Sequence, residues 1–261
     1  PLLIGGRHWA NSPLRKFDIR MYALAQVVDG VHFRGYFYKE GYIRTTSFEY
    51  TANDLDDRNV HLTNDAVQDK FKDYGRYEPG NKISFKDFAQ YMRDRKGIDF
   101  YQIILPAMKA AVRDTLDALW HNIQAGRAVI NQFEMFGYDF MIDEDARVFL
   151  IEVNTNPCLD TSPCPLLQRV VGQVLDQTFK IAVDPFLPAK DAQYASAVEM
   201  SLSELNYEMV CSNVSDKANE TKISQDYDPR ARARASPFDL HLSSEKIGLG
   251  VSQESPARVT G

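Results

Sequence analysis

Two strand-like runs, 132–142 and 147–154, are separated only by the turn sequence DEDA. The two runs can form a hairpin about that turn. The second run opens "VFLIEVNTNP" (148–157), and Glu152 and Asn154 interrupt its apolar sequence two positions apart. Residues i and i+2 of a strand share a face. Glu152 and Asn154 therefore face one way, and Ile151 and Val153 are expected to face the other, into a core. The partner run, "FGYDFMID", sets Asp139 among Phe136, Tyr138, Phe140 and Met141. Folded about DEDA, the hairpin brings Asp139 opposite the Glu152 region. Two carboxylates and an amide carbonyl then converge, a hard-oxygen set suited to magnesium with phosphates and waters completing its shell. The plainer alternative is a polar strand face with a chance acidic neighbour.

More strands precede this hairpin. Residues 17–27 alternate polar and apolar, and 31–39 are rich in aromatic and strand-favouring residues. Asp29-Gly30 between them is a hairpin signal. Residues 41–46 read as a third short strand, and 50–63 as a polar loop. Helical patterns follow. Ser84 and Asp87 open 84–92 in the manner of a capping box. Over 99–124, Phe100, Ile103, Ile104, Ala107, Ala111, Leu116 and Leu119 recur near helical spacing, with a kink or boundary expected at Pro106. Residues 164–183 read as an amphipathic helix. Short strands beside separate helices define an α+β chain, with a mostly antiparallel sheet flanked by helices.

Past about residue 190 the character changes. Residues 212–261 are rich in Ser, Asp, Lys, Glu and Pro, a composition that suits a disordered tail. The basic cluster "RARAR" (230–234) within it reads as a solvated linker or as a docking patch for an acidic surface. The two regions expected are thus 1–188, folded, and 189–261, mostly a disordered tail. With 261 residues, 44% of them hydrophobic, a sizeable core is available. The net charge of −6 argues against a generic nucleic-acid binder. No apolar run approaches the roughly 20 residues that span a bilayer, so no membrane partner is expected. Three cysteines without a C-x-x-C pair fit reduced thiols in a cytoplasmic setting. The chain opens on Pro1, and "PLLIGG" reads as the end of a strand, so an upstream portion is expected to be missing.

Two more constellations carry chemistry. Lys16, Asp18 and Arg20 in "RKFDIR" stand at i, i+2 spacing on one strand face. Such a row is either a surface ladder of cross-strand pairs or one side of a site for phosphate and carboxylate, groups the Arg fork binds bidentately. Arg44 in "YIRTT" can join it from a neighbouring strand. "HLTN" (61–64) offers an imidazole, a hydroxyl and an amide, and by itself reads as a turn or helix cap.

Taken together, "RKFDIRMYAL", "YIRTTSFEYT", "HLTNDAVQ", "YGRYEPGNKISFKDFAQYM" and "FEMFGYDFMIDEDARVFLIEVNTNP" resemble the tubulin tyrosine ligase-like family, amide-forming ligases of the ATP-grasp fold. The resemblance covers roughly residues 1–185 and implies the carboxy-terminal part of the ligase domain, with the amino-terminal half missing, so that this stretch alone should not catalyse. It implies Asp139, Glu152 and Asn154 as magnesium ligands. Lys16, Asp18 and Arg20 fall on the nucleotide and acceptor-substrate side, and His61, Thr63 and Asn64 on a loop approaching the nucleotide. Arg44 falls near the phosphates and the acceptor carboxylate, and Arg20 and Arg44 are the implied catalytic residues. The implied cofactors are ATP and Mg2+. The implied partners are tubulin, through its acidic carboxy-terminal tail, and a free amino acid, tyrosine or glutamate ahead of glycine. The implied location is the cytoplasmic microtubule cytoskeleton, including that of a cilium or flagellum. To meet an acidic tail the binding face should be locally basic, with Arg20, Arg44 and Arg15 as candidates. A catalytically inactive tubulin-binding relative and an ATP-grasp ligase with a different acceptor are the alternatives. Cys158 and Cys164 are expected to be structural.

Overall fold

The computed structural model describes residues 1–7, 9–122, 131–161, 163–187 and 204–213. Its strands are β1 (Leu3–Gly6), β2 (Ser12–Val28), β3 (His32–Thr45), β4 (Lys82–Ser84), β5 (Gln132–Ile142), β6 (Val148–Asn154) and β7 (Tyr207–Ser212). Its helices are α1 (Arg58–His61), α2 (Asp65–Gln68), α3 (Phe85–Lys96), α4 (Leu105–Asn122) and α5 (Pro165–Ala182). The strands form one sheet in the order β4-β3-β2-β5-β6, to which β1 adds against β2 and β7 against β3. All the described pairings are antiparallel.

The long β2 strand organises both faces. Phe17, Ile19, Met21 and Ala23 point into a core closed by Phe88 and Met92 of α3 and by Met108, Val112 and Leu116 of α4. Tyr22 and Leu24 point the other way, onto Leu167, Val170 and Val174 of α5. Each fully buried apolar side chain of this size contributes about 1.5–3 kcal/mol. On that second face the β2 alternation continues as Arg20, Asp18 and Lys16.

The Asp29-Gly30 hairpin forms, with φ of 53° and 70° as a type I′ turn requires. The expected strands 31–39 and 41–46 are one strand, β3. Gly41 does not end it. The strand bulges there, since Met21 pairs with Gly41 but Ala23 with Phe37. A Cβ at Gly41 would lie 2.2 Å from the Arg20 carbonyl oxygen, so only glycine passes. Beyond the bulge β3 changes its outer neighbour, from β7 at 34–38 to β4 at 42–44.

Ser84 caps α3 by accepting from the Asp87 amide at 3.1 Å, and Gly97 ends the helix at φ 65°. Truncating Ser84 to alanine is expected to cost about 1 kcal/mol, and a thermal melt of the full-length protein reads it. At Pro106 a boundary appears: a π-helical turn, Phe100–Ile104, capped by Asp99, leads into α4. The buried ridge there is Phe100, Ile104, Met108, Val112 and Leu116. Ile103, expected in it, is 40% exposed, because the π-turn rotates it off the core.

One expectation fails at the last hairpin. The strand 148–154 is not buried. Among the described residues β6 is the edge of the sheet, and Ile151 and Val153 are 54% and 38% exposed rather than in a core. Asp139 pairs with Glu152 but Phe140 with Leu150, so Ile151 is the extra residue of a bulge and the simple alternation stops there. A further strand lies in the region expected to be mostly tail. This strand is β7: Tyr207 is 2% exposed and its hydroxyl lies 2.9 Å from Thr178 Oγ1 of α5. Residues 189–203 and 214–261 of the expected tail, with RARAR, lie outside the described residues.

Candidate functional site

On the α5 face the register sets Asp18 opposite Arg44, Arg20 opposite Asp139, and Asp139 opposite Glu152. Four adjacent strands thus present one row of charges. Arg20 Nε donates to Asp139 Oδ1 at 2.5 Å and Nη2 to Oδ2 at 3.1 Å. Arg44 forks onto Asp18 at 2.7 and 2.6 Å, and its Nη2 also lies 2.8 Å from Asp139 Oδ2. Thr63 Oγ1 donates to Asp18, and Lys16 Nζ donates to the His61 carbonyl at 2.8 Å. Gly137, opposite Asn154, leaves room for this packing: a Cβ there would meet Pro157 at 2.7 Å and Arg20 Nη1 at 3.3 Å.

These groups open onto a cleft of about 580 Å³ whose lining includes Lys16, Asp18, Arg20, Arg44, His61, Thr63, Asn64, Asp139, Glu152 and Asn154. Every residue expected at the site borders that one cleft. Their contributions differ from expectation in detail. His61 gives its carbonyl to Lys16, while its imidazole Nε2 lies 2.8 Å from the Asp54 carbonyl oxygen. Asn64 caps α2 by accepting from Val67 N at 3.1 Å. Asn154 presents its amide nitrogen, which donates to Glu152 Oε1 at 3.2 Å, Asp139 Oδ2 at 3.4 Å and the Gly137 carbonyl at 3.3 Å. The expected exposed basic face is not made by these arginines. Arg20 and Arg44 are buried in carboxylate pairs, and Arg15 is wholly buried against Glu78, Thr45 and Thr46.

Burial would push the Asp139 carboxyl up, but the Arg20 hydrogen bonds and the Arg44 charge outweigh it and hold its pKa below the usual aspartate value. Burial also opposes the charge of Arg44, and Asp18 and Asp139 overcome it and raise its pKa. A carboxyl whose folded pKa is depressed contributes stability above its unfolded pKa and loses it as pH falls through the folded value. The Asp139 contribution should therefore be complete above roughly pH 4 and decline below it. An Asp139→Asn variant should show a shallower fall in stability below that pH, read from denaturant midpoints across an acid series.

The sequence reading missed some of the lining. Tyr42, Met141, Asp65 and Cys158 also border the cleft, and Lys82 pairs with Asp65 at 2.5 Å. The β4 strand that carries Lys82 is three residues long, too short for any period to announce it. Ile151 lines the cleft because of the bulge. Cys158 is exposed, Cys164 buried and Cys211 half-buried, all as free thiols, and burial pushes the Cys211 thiol up to about 12.

Paired arginines and carboxylates, beside an acidic pair bridged by an amide, thus line one cleft across four strands of an antiparallel sheet. The tubulin-tyrosine ligase family profile matches residues 1–191, and the chain belongs to that family. It is 37% identical over 185 residues to tubulin glycylase 3B of Tetrahymena thermophila, covering 70% of this chain and 14% of that protein. It is 34% identical over 162 residues to the probable tubulin polyglutamylase TTLL9 of Bos taurus, covering 62% of this chain and 32% of that protein. It is 32% identical over 174 residues to the protein monoglycylase TTLL8 of Mus musculus, covering 65% and 20% respectively. The chain thus spans a third or less of the length of these relatives. Strand β7 lies outside the matched residues and is nonetheless part of the sheet.

Proposed function

We propose that this chain is the carboxy-terminal portion of an ATP-grasp ligase that adds an amino acid to tubulin. The observation that carries the reading is the meeting of Lys16, Asp18, Arg20 and Arg44 with Asp139, Glu152 and Asn154 at one cleft. Among the described residues no three His, Cys, Asp or Glu side chains gather as a metal cluster. A cation here would therefore depend on two carboxylates, an amide and non-protein oxygens, which is how magnesium is commonly held beside phosphates. The donor set fits it. The amide hydrogens of Asn154 occupy the position between Asp139 and Glu152 where positive charge is wanted, and a half-turn of that amide presents its oxygen instead.

When bound, magnesium and ATP would supply the γ-phosphoryl group that activates an acceptor carboxylate toward a free amine, with ADP and inorganic phosphate as the leaving groups. The protein's part is positioning and charge neutralisation. Asp139, Glu152 and Asn154 would hold the metal. Arg44 and Arg20, fixed by Asp18 and Asp139, would present positive charge to phosphate and carboxylate without reorganising. Lys16 would add a nearby ammonium. The glycylase and polyglutamylase relatives favour glycine or glutamate as the transferred residue over tyrosine. With tubulin as acceptor, the protein would work on cytoplasmic microtubules, including those of a cilium or flagellum. Among the described residues no helix is long and apolar enough to cross a membrane. The test is incorporation of labelled glycine, glutamate and tyrosine into tubulin by the full-length protein with Mg2+ and ATP. Incorporation of none of the three rejects the reading.

A further inference from the structure

Lys82 stands out among the basic residues near the cleft. Its β4 register sets it beside Arg44, and its side chain is 1% exposed. Burying an ammonium is costly unless it is paired. Here Nζ donates to Asp65 Oδ1 at 2.5 Å and to the Gly80 carbonyl at 2.8 Å. The Asp65 side chain is 43% exposed and borders the cleft, and the Tyr74 hydroxyl donates to its Oδ1 at 3.1 Å. The pair is therefore asymmetric, with a sequestered cation holding a carboxylate at the cleft wall.

That wall has little structure of its own. Helices α1 and α2 are four residues each, and helices this short do not stand without tertiary anchors. Residues 61–65 are anchored to the sheet three times: Lys16 to the His61 carbonyl, Thr63 to Asp18, and Lys82 to Asp65. Gln68 secures the far end through the Ser47 amide. The first two anchors come from β2, so Lys82 supplies the one from β4. Stability alone does not account for a lysine here, because a buried ion pair can often be replaced by apolar residues without loss.

We infer that Lys82 is a positioning residue. Acting through Asp65, it sets the placement of the 61–65 wall against the charged row of the sheet. Its kinetic consequence rests on the ligase reading above, but its structural consequence does not. The experiment uses full-length protein, the variants Lys82→Met and Asp65→Asn, and their combination. Hydrogen exchange of the 59–67 amides should accelerate about tenfold in each single variant, with strands β2 and β5 unchanged. KM for ATP should rise about tenfold with kcat altered much less. The double variant should be no worse than either single one, as for residues that act as a unit. Unchanged exchange over 59–67, or acceleration spread evenly across the sheet, overturns the inference. Should Lys82→Met fail to fold, Asp65→Asn, at a half-exposed side chain, decides alone. If wild-type protein ligates nothing, the ligase reading fails while the exchange result still decides the role of Lys82.

Discussion

Replacing Arg44 with methionine will cost about 3–5 kcal/mol of stability, because removing one partner of a buried ionic cluster leaves uncompensated charge behind. Arg44 is 8% exposed and binds two carboxylates, both oxygens of Asp18 and one of Asp139. Without it Asp18 keeps Thr63 and Asp139 keeps Arg20, but Asp18 loses the arginine fork that neutralises it. Either protonation or local opening must follow. The melting temperature should fall by on the order of 10 °C, and the depressed pKa of Asp139 should rise, since Arg44 is one of the charges that lowers it. Arg44→Lys should not rescue, because a single ammonium cannot reproduce a fork that spans two carboxylates. Thermal melts of the full-length variants, with amino-acid incorporation measured below the lower melting temperature, check both parts. A melt within 2 °C of wild type, a margin of about 1 kcal/mol, contradicts the view that Arg44 holds the cluster together.

The second large effect separates chemistry from stability. Glu152 is exposed on the edge strand, and its described hydrogen bond is the one it accepts from Asn154 at 3.2 Å. Glu152→Gln keeps the shape and removes the charge. Surface changes of this kind usually alter stability by no more than about 0.5 kcal/mol, so the melt should be nearly unmoved. Turnover should fall about 10²–10³-fold or more, as when a preorganised electrostatic group is lost from a transition state. The contrast with Arg44 is the point: one variant loses fold and activity together, the other activity alone. Wild-type turnover in the Glu152→Gln protein removes Glu152 from the metal-holding set and with it the main support for magnesium at this cleft.

Much of the site was legible in the sequence because strand geometry is regular. The i, i+2 rule puts Lys16, Asp18 and Arg20 on one face, and a hairpin about DEDA allows the Asp139–Glu152 pairing that the structure shows. What escaped had physical causes. A bulge is one extra residue that leaves no mark in hydrophobic pattern, so Ile151 was assigned to a core and instead lines the cleft. Arginines in a row look like a surface for an acidic partner, and only their carboxylate neighbours in space reveal Arg15, Arg20 and Arg44 as buried cross-links. A three-residue strand has no period, so Lys82 was invisible as a member of the site.

The sequence by itself determined the antiparallel hairpins, the α+β class and the identity of the charged row, because turn length and side-chain alternation are local properties of the chain. Only the tertiary structure decided which carboxylate each arginine serves, that β6 is an edge rather than a buried strand, and that Tyr207–Ser212 completes the sheet beyond the expected boundary. Those outcomes depend on pairing across long separations, where register, bulges and burial are set by the whole fold and not by neighbouring residues.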